Sequence, residues 1–236
     1  MDTDAVLVIG ASGGIGSALT ELLVASGKRV FCISRRPCSA SCESMLLSEQ
    51  NDSTIASCCQ TMLEQGWRFK WVICHIGVLY ESTMMPEKRL EDLQAQHLQR
   101  YFEVNSILPA LWLKHLVGLF EPHQDARLAF LSARVGSIED NRLGGWYGYR
   151  ASKAALNMLV KTAQVEYARR VPGVQLMCYH PGTVDTPLSR PFKGGTPRDQ
   201  RLSAYQAAQY LLSELQKPRQ QREAIFIDWQ GQPIHW

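Results

Sequence analysis

Apolar residues alternate along the chain between two kinds of block. Short, nearly continuous apolar runs stand at Ala5–Ile9, Val30–Ile33, Trp71–Ile76, Leu128–Leu131, Val174–Tyr179 and Ala224–Ile227. Runs of that length without polar alternation predict strands buried on both faces. Between them the apolar positions repeat at helical spacing. Ile15, Leu19, Leu22 and Leu23 form one stripe, and Gly27 suits its end. Further helices are predicted around Thr54–Gln65, from about Leu90 to Phe120 with a bend near Pro109, near Ala151–Arg169 and over Ala204–Leu215. No internal repeat or low-complexity linker interrupts the alternation. The pattern predicts one doubly wound α/β domain over residues 1–236, with a parallel sheet and helices on both faces.

Composition narrows the functional classes. With 45% hydrophobic and 20% charged residues in 236, the chain has the make-up of an ordinary globular protein. A formal net charge of +3 falls short of a nucleic-acid footprint, and the pairs Arg35-Arg36 and Arg169-Arg170 are ordinary surface features, so no nucleic-acid partner is expected. No apolar run approaches the roughly 18 residues of a membrane span. Met1-Asp2-Thr3-Asp4 also lacks the basic start of a secretory leader, so no membrane partner is expected. The seven cysteines are scattered and lack the second half of a zinc motif. They read as reduced thiols of a cytoplasmic protein with no metal site.

The first candidate for chemistry lies where the first strand meets the first helix. There Gly10-Ala11-Ser12-Gly13-Gly14-Ile15-Gly16 spaces three glycines as Gly-x3-Gly-x-Gly. Missing side chains permit a tight turn and let backbone N–H groups and the helix N-terminus approach a pyrophosphate. A glycine turn in that place makes the fold Rossmann-type and the ligand a dinucleotide, seated beyond the carboxyl ends of the strands. The second strand ends in Ser34-Arg35-Arg36 with no carboxylate to receive a free ribose hydroxyl. Arg35 suits a 2′-phosphate, which favours NADP(H) over NAD(H).

The second candidate is a pair. Tyr149 and Lys153 are four residues apart at the start of a helix, on one face and about 6 Å apart along the axis. An ammonium held near the phenol favours phenolate and lowers the tyrosine pKa, so the tyrosine can pass a proton to a carbonyl oxygen. Asn105 lies on another apolar stripe after Leu98 and Phe102, where a buried amide must find partners. It either supports a water chain to the lysine or satisfies backbone at the bend before Pro109.

Together these residues resemble the short-chain dehydrogenase/reductase family over nearly the whole chain. The likeness rests on Gly10-x3-Gly14-Ile15-Gly16, Asn105, Ser132 and its loop, Tyr149-x3-Lys153, and Pro181-Gly182-Thr183-Val184-Asp185-Thr186. The stretches Ser132–Ile138 and Gly144–Arg150, with the ending Phe226-Ile227-Asp228-Trp229, are most similar to the carbonyl-reductase branch that contains Sniffer and the bacterial C-factor proteins. The resemblance implies Tyr149 as acid/base, Lys153 as ribose ligand and tyrosine partner, and Asn105 as support for a proton relay. Gly10, Ser12, Gly13, Gly14, Ile15, Gly16, Arg35 and Gly77 would hold the cofactor together with Tyr149 and Lys153. Pro181, Gly182, Val184 and Thr186 would line its nicotinamide end.

The chain departs from that pattern in places. Cys74-His75-Ile76-Gly77 replaces Asn-Asn-Ala-Gly, and the adenine-side aspartate gives way to Ser48 or a neighbour. Register from Gly136 puts Ala133 where the family keeps a catalytic serine, so Ser132 is taken as the catalytic hydroxyl and Ser137 as the alternative.

The expectation is an NADPH-dependent reductase of a small aldehyde, ketone or quinone. Its substrate wall would be Pro187–Gln200, containing Arg190, Phe192 and Lys193. Apolar surface on the helices around Leu98–Leu119 and Tyr149–Tyr167 predicts a homodimer or homotetramer. The alternative is a catalytically weak or inactive NADP(H)-binding signalling or scaffold protein.

Overall fold

Five residues, Ala5–Ile9, form strand β1, and all five are buried. β1 lies inside a seven-stranded sheet built with β2 (Val30–Ser34), β3 (Glu43–Leu46), β4 (Phe69–Cys74), β5 (Ala126–Leu131), β6 (Val174–His180) and β7 (Ile225–Asp228). The order is β3-β2-β1-β4-β5-β6-β7, and every neighbouring pair is parallel. The strand order reverses between β1 and β4, which opens a crevice at their carboxyl ends. The computed structural model describes residues 4–195, 201–218 and 222–236.

Alternate side chains of β1 explain the layers, because successive residues of a strand point to opposite faces. Ala5, Leu7 and Ile9 pack with Ile55, Trp112, Leu156 and Val160. These belong to α2 (Asp52–Glu64), α4 (Leu108–Leu116) and α5 (Tyr147–Arg170). Val6 and Val8 pack on the other face with Leu19, Leu23, Ala208 and Leu211. Those come from α1 (Gly14–Ala25) and α6 (Ala204–Gln216). Local chemistry sets the starts of two helices. Asn51 accepts from the Thr54 N–H and Ser203 from the Gln206 N–H, each in a reciprocal capping box.

The sheet and its two covered faces follow the sequence pattern, with three differences. β3 escaped it because this edge strand is short and largely exposed, with no apolar run to mark it. The helix carrying Tyr149 starts at Tyr147 rather than Ala151. The region from Leu90 is divided: a 3-10 turn at Leu90–Asp92, α3 (Ala95–Phe102), a π turn at Glu103–Ile107, then α4. Pro109 lacks an N–H and would crowd the carbonyl of residue 105 in a regular helix, so the wide turn just before it removes the conflict. That same turn carries Asn105.

Among the described residues no helix is long and apolar enough to cross a membrane. Truncating the fully buried Leu7 to Ala is expected to destabilise the fold by about 2–5 kcal/mol. Truncating Leu46 on the edge strand, 58% exposed, should stay within about 0.5 kcal/mol. Urea unfolding of the two variants checks the contrast.

Candidate active site

The glycine loop is shaped by backbone contacts that leave no room for side chains. Gly10, at φ +84°, donates from its N–H to the Ile33 carbonyl at 2.7 Å. A Cβ on Gly16 would lie 2.5 Å from the Gly10 carbonyl oxygen, and one on Gly14 would lie 2.7 Å from Thr186 Cγ2. α1 starts after Gly13 with no side-chain cap. The N–H groups of Gly14, Ile15 and Gly16 therefore point out of the helix end without intrahelical partners. Ser12 is half-buried beside them. Together they make an anion cradle at the crevice.

His75 follows β4 directly beside this cradle. Its Cβ lies 3.2 Å from where a Cβ of Gly10 would stand. Burial pushes its pKa down to about 3, so the imidazole is neutral, and neither ring nitrogen has a partner among the described residues. A neutral ring with a free donor and a free acceptor suits the hydroxyls of a ribose better than proton chemistry. The cradle and this unpaired ring both fit a dinucleotide. Arg35 and Arg36 are exposed at the end of β2, with no ion pair to either among the described residues.

At the other end of the crevice a polar knot is buried under the π turn. Asn105 is fully buried. Its Oδ1 accepts from Val78 N at 2.8 Å, while its amide donates to Val78 O at 3.0 Å and to Ser152 Oγ at 3.0 Å. Ser152 in turn donates to the Tyr149 carbonyl, and Ser106 donates to the Ser152 carbonyl. Asn105 thus fixes the loop after β4 against α5. Ser152 was not singled out from the sequence. Its one available signal is its place beside Lys153 on the buried side of the helix.

Lys153 runs back from α5 toward the sheet. Its ammonium donates to the Leu131 carbonyl at 2.8 Å, and burial pushes its pKa down to about 8. A Cβ on Gly77 would lie 3.3 Å from Lys153 Nζ and 3.4 Å from Asn105 Oδ1, so both reach the same point beside this glycine. A Cβ on Gly136 would lie 2.8 Å from Lys153 Cβ, which explains a glycine where the β5 turn meets α5.

The phenol corrects one expectation. Tyr149 is buried, and that burial pushes its pKa above the ordinary value instead of toward neutrality. Lys153 Nζ stands 5.9 Å from the ring centroid, committed to Leu131, and does not offset the desolvation.

The serines separate. The Ser132 hydroxyl donates to Asn157 Oδ1 at 2.6 Å. Asn157 lies eight residues beyond Tyr149 on α5, a rise of about 12 Å. Ser137 Oγ accepts from the Asp140 N–H at 3.1 Å. Ala133 is the residue that packs with Tyr149, in a cluster with Val78, Leu79, Met84 and Tyr101. The structure therefore brings Lys153, Asn105 and Gly77 together, places Tyr149 beside Val78 with its ring 5.9 Å from Lys153 Nζ, and turns Ser132 onto Asn157 because adjacent residues of an extended segment face opposite ways.

Aromatic rings wall the phenol. Trp146 lies 6.1 Å from Tyr149 and 5.3 Å from Phe192, and Phe192 lies 5.6 Å from Tyr80. The Tyr80 hydroxyl donates to the Pro187 carbonyl at 2.8 Å and joins the loops after β4 and β6. Of the residues expected to form a substrate wall, Phe192 packs against the cluster that holds Tyr149, and Arg190 is exposed. Residues 196–200 lie outside the described residues, as does the Lys193 side chain. Pro181, Gly182, Val184 and Thr186 occupy the turn after β6. Gly182, at φ +77°, leaves space that Trp229 fills, and Thr186 faces Gly14 across the crevice.

Residues 4–195 match the family model for short chain dehydrogenase. The chain belongs to the short-chain dehydrogenase family. It is 25% identical over 233 residues to 1-hydroxy-2-glutathionyl-2-methyl-3-butene dehydrogenase of Rhodococcus sp. strain AD45, covering 95% of this chain and 99% of that one. It is 29% identical over 147 residues to C-signal of Myxococcus xanthus, covering 62% and 83%. Among solved structures, the carbonyl reductase Sniffer of D. melanogaster superposes with a TM-score of 0.83 at 18% identity, covering 99% of each chain. The NADPH-bound carbonyl reductase from chicken fatty liver also gives 0.83, at 22% identity over all of both chains. This short-chain dehydrogenase therefore has the oxidoreductase fold that its sequence motifs imply.

The buried lysine gives a pH signature. Between about pH 8 and 10.5 the unfolded chain holds a proton on Lys153 that the folded protein has released, so stability attributable to this residue rises with pH across that window. Relative to Lys153→Met, the unmodified protein is expected to gain about 3 kcal/mol from pH 8 to 10.5. Denaturant unfolding of both across that range checks it. A constant difference would contradict the assignment.

Proposed function

We propose that this short-chain dehydrogenase is an NADPH-dependent carbonyl reductase acting on a small neutral aldehyde, ketone or quinone. The observation that carries the reading is the convergence of Lys153 and Asn105 at Gly77, with Lys153 Nζ 5.9 Å from the Tyr149 ring, at the carboxyl ends of β4 and β5 and across the crevice from the glycine loop. Exposed Arg35 at the end of β2, without an ion pair among the described residues, supports NADP(H) over NAD(H), as do the NADPH-bound and carbonyl-reductase neighbours.

A nicotinamide held in the crevice would supply the hydride for the carbonyl carbon. Tyr149 is protonated and buried, so it enters as an acid and gives its phenolic proton to the carbonyl oxygen. Lys153, with a pKa of about 8, is poised near neutrality to restore that proton. Asn105 holds the Val78 backbone and, through Ser152, the first turn of α5, which fixes the distance between the phenol and the cofactor cleft. The walls beside Tyr149 are apolar and aromatic, which favours an uncharged substrate. Exposed Ile107, Met158 and Val165 on the π turn and α5 support association with a second copy of the chain in a homodimer or homotetramer.

The non-catalytic reading draws on one feature, Ala133 in place of a hydroxyl beside the phenol. NADPH consumption over a panel of aldehydes, ketones and quinones, with NADH in parallel, separates the two. Tyr149→Phe should lower turnover about 10²-fold or more while leaving NADPH affinity nearly unchanged. Activity that survives this change would sink the assignment, and NADPH binding without turnover of any substrate would favour the scaffold.

Ala133→Ser restores a donor of the kind worth about 10²–10³ in turnover. It is expected to raise kcat about tenfold or more, and an unchanged kcat would show that the site does not depend on a second donor.

A further inference from the structure

Three of the seven cysteines, Cys32, Cys38 and Cys42, lie in β2 and in the turn after it that carries Arg35 and Arg36. Cys32 is fully buried in β2, and Cys42 stands half-buried just before β3. Their sulfurs are 3.3 Å apart, the Cys42 thiol donating to Cys32 Sγ. Cys38 is turned to the Ser34 hydroxyl instead, 3.5 Å away. Among the described residues no cluster of three His, Cys, Asp or Glu can hold a metal ion. Two facing thiols are therefore left for covalent chemistry.

The pair is wired to the glycine loop. Thr20 Oγ1 spends its own proton on the Gly16 carbonyl at 2.8 Å, so in its 3.6 Å contact with Cys32 it accepts and the Cys32 S–H donates. Hydrogen bonds thus run from Cys42 through Cys32 and Thr20 to the first turn of α1. Burial holds both thiols above their ordinary range, so they rest protonated, and oxidation starts from the small thiolate fraction of the less buried Cys42.

We propose that Cys32 and Cys42 are a dithiol that closes to a disulfide on oxidation by hydrogen peroxide, and that closure weakens the grip on NADP(H). Peroxide takes the half-buried Cys42 thiol to a sulfenic acid, releasing one water. The Cys32 sulfur then displaces the sulfenic hydroxyl, which leaves with the Cys32 proton as a second water. The two thiols lose two electrons, and peroxide is reduced to two waters. An S–S bond of about 2.05 Å draws Cys42 inward by roughly 1.2 Å, tightening residues 32–42 into a ring around Arg35 and Arg36. It also removes both S–H donors, leaving Thr20 without its donor from Cys32. The affinity effect rests on the NADPH reading above; the disulfide itself does not.

The test treats the full chain with peroxide, quenches with a thiol-blocking reagent, and seeks a peptide linking Cys32 to Cys42 by mass. NADPH and NADH affinities are measured by fluorescence before and after, and again after reduction with dithiothreitol. The linked peptide is expected in the unmodified protein and in Cys38→Ser, and absent in Cys42→Ser. The Kd for NADPH should rise at least threefold on oxidation, recover on reduction, and stay constant in Cys42→Ser, with a smaller change for NADH. Absence of the Cys32–Cys42 link, or a linked protein whose NADPH affinity shifts less than threefold, would overturn the proposal. If the reduced protein binds no NADPH, the cofactor reading fails and the affinity coupling with it, while the peptide masses still decide the disulfide.

Discussion

The geometry of the site depends on one buried amide. Asn105 has no exposure, and all three of its hydrogen bonds go to groups that set the crevice: both polar atoms of the Val78 backbone and the hydroxyl of Ser152. A buried amide left unpaired costs about 1–3 kcal/mol per missing partner, so the loop after β4 and the start of α5 are held to the positions that satisfy it. The π turn at Glu103–Ile107 aims this side chain inward, and Pro109 makes a regular helix there unfavourable. A steric conflict in the sequence is thereby converted into the placement of a buried, fully hydrogen-bonded amide.

Burial then decides the electrostatics. Tyr149 and Lys153 lie on one face of α5 and are both desolvated, which favours the neutral phenol and the neutral amine. The shifts move the two groups in opposite directions, the phenol up and the ammonium down. The lysine is anchored to the Leu131 carbonyl, so its proton is held by a backbone dipole at the end of β5 and not by the phenol. A phenol kept protonated is an acid awaiting an acceptor.

Much of this was legible in the chain. The runs at Ala5–Ile9 and Leu128–Leu131 are buried on both faces, and such strands announce themselves by continuous hydrophobicity. The glycine loop was readable because its spacing answers to backbone approaches that a single Cβ would block. β3 was not, since an exposed edge strand carries no run. The roles of Ser152, Trp146 and the Cys32–Cys42 pair were not either. Each depends on contacts between segments far apart in sequence or on a turn whose path periodicity does not encode. The lowered tyrosine pKa failed for a related reason. Spacing along a helix gives the neighbourhood of two side chains, while the carbonyl that captures the ammonium belongs to another element.

The pair Ser132 and Ala133 shows how such contacts orient side chains. Ser132 and Ala133 are consecutive in an extended segment, so only one of them can face the phenol, and the fold gives that face to Ala133. Turning Ser132 round would forfeit its 2.6 Å bond and leave the buried Asn157 Oδ1 without its donor, while the Asn157 amide still holds the Gly136 carbonyl. The Ser132 and Asn157 bonds thus make a firm junction between the β5 turn and α5. That junction keeps Gly136 against Lys153. Beside the phenol, the rings of Trp146, Phe192 and Tyr80 pack on one another, so that wall is defined by shape and not by directional hydrogen bonds.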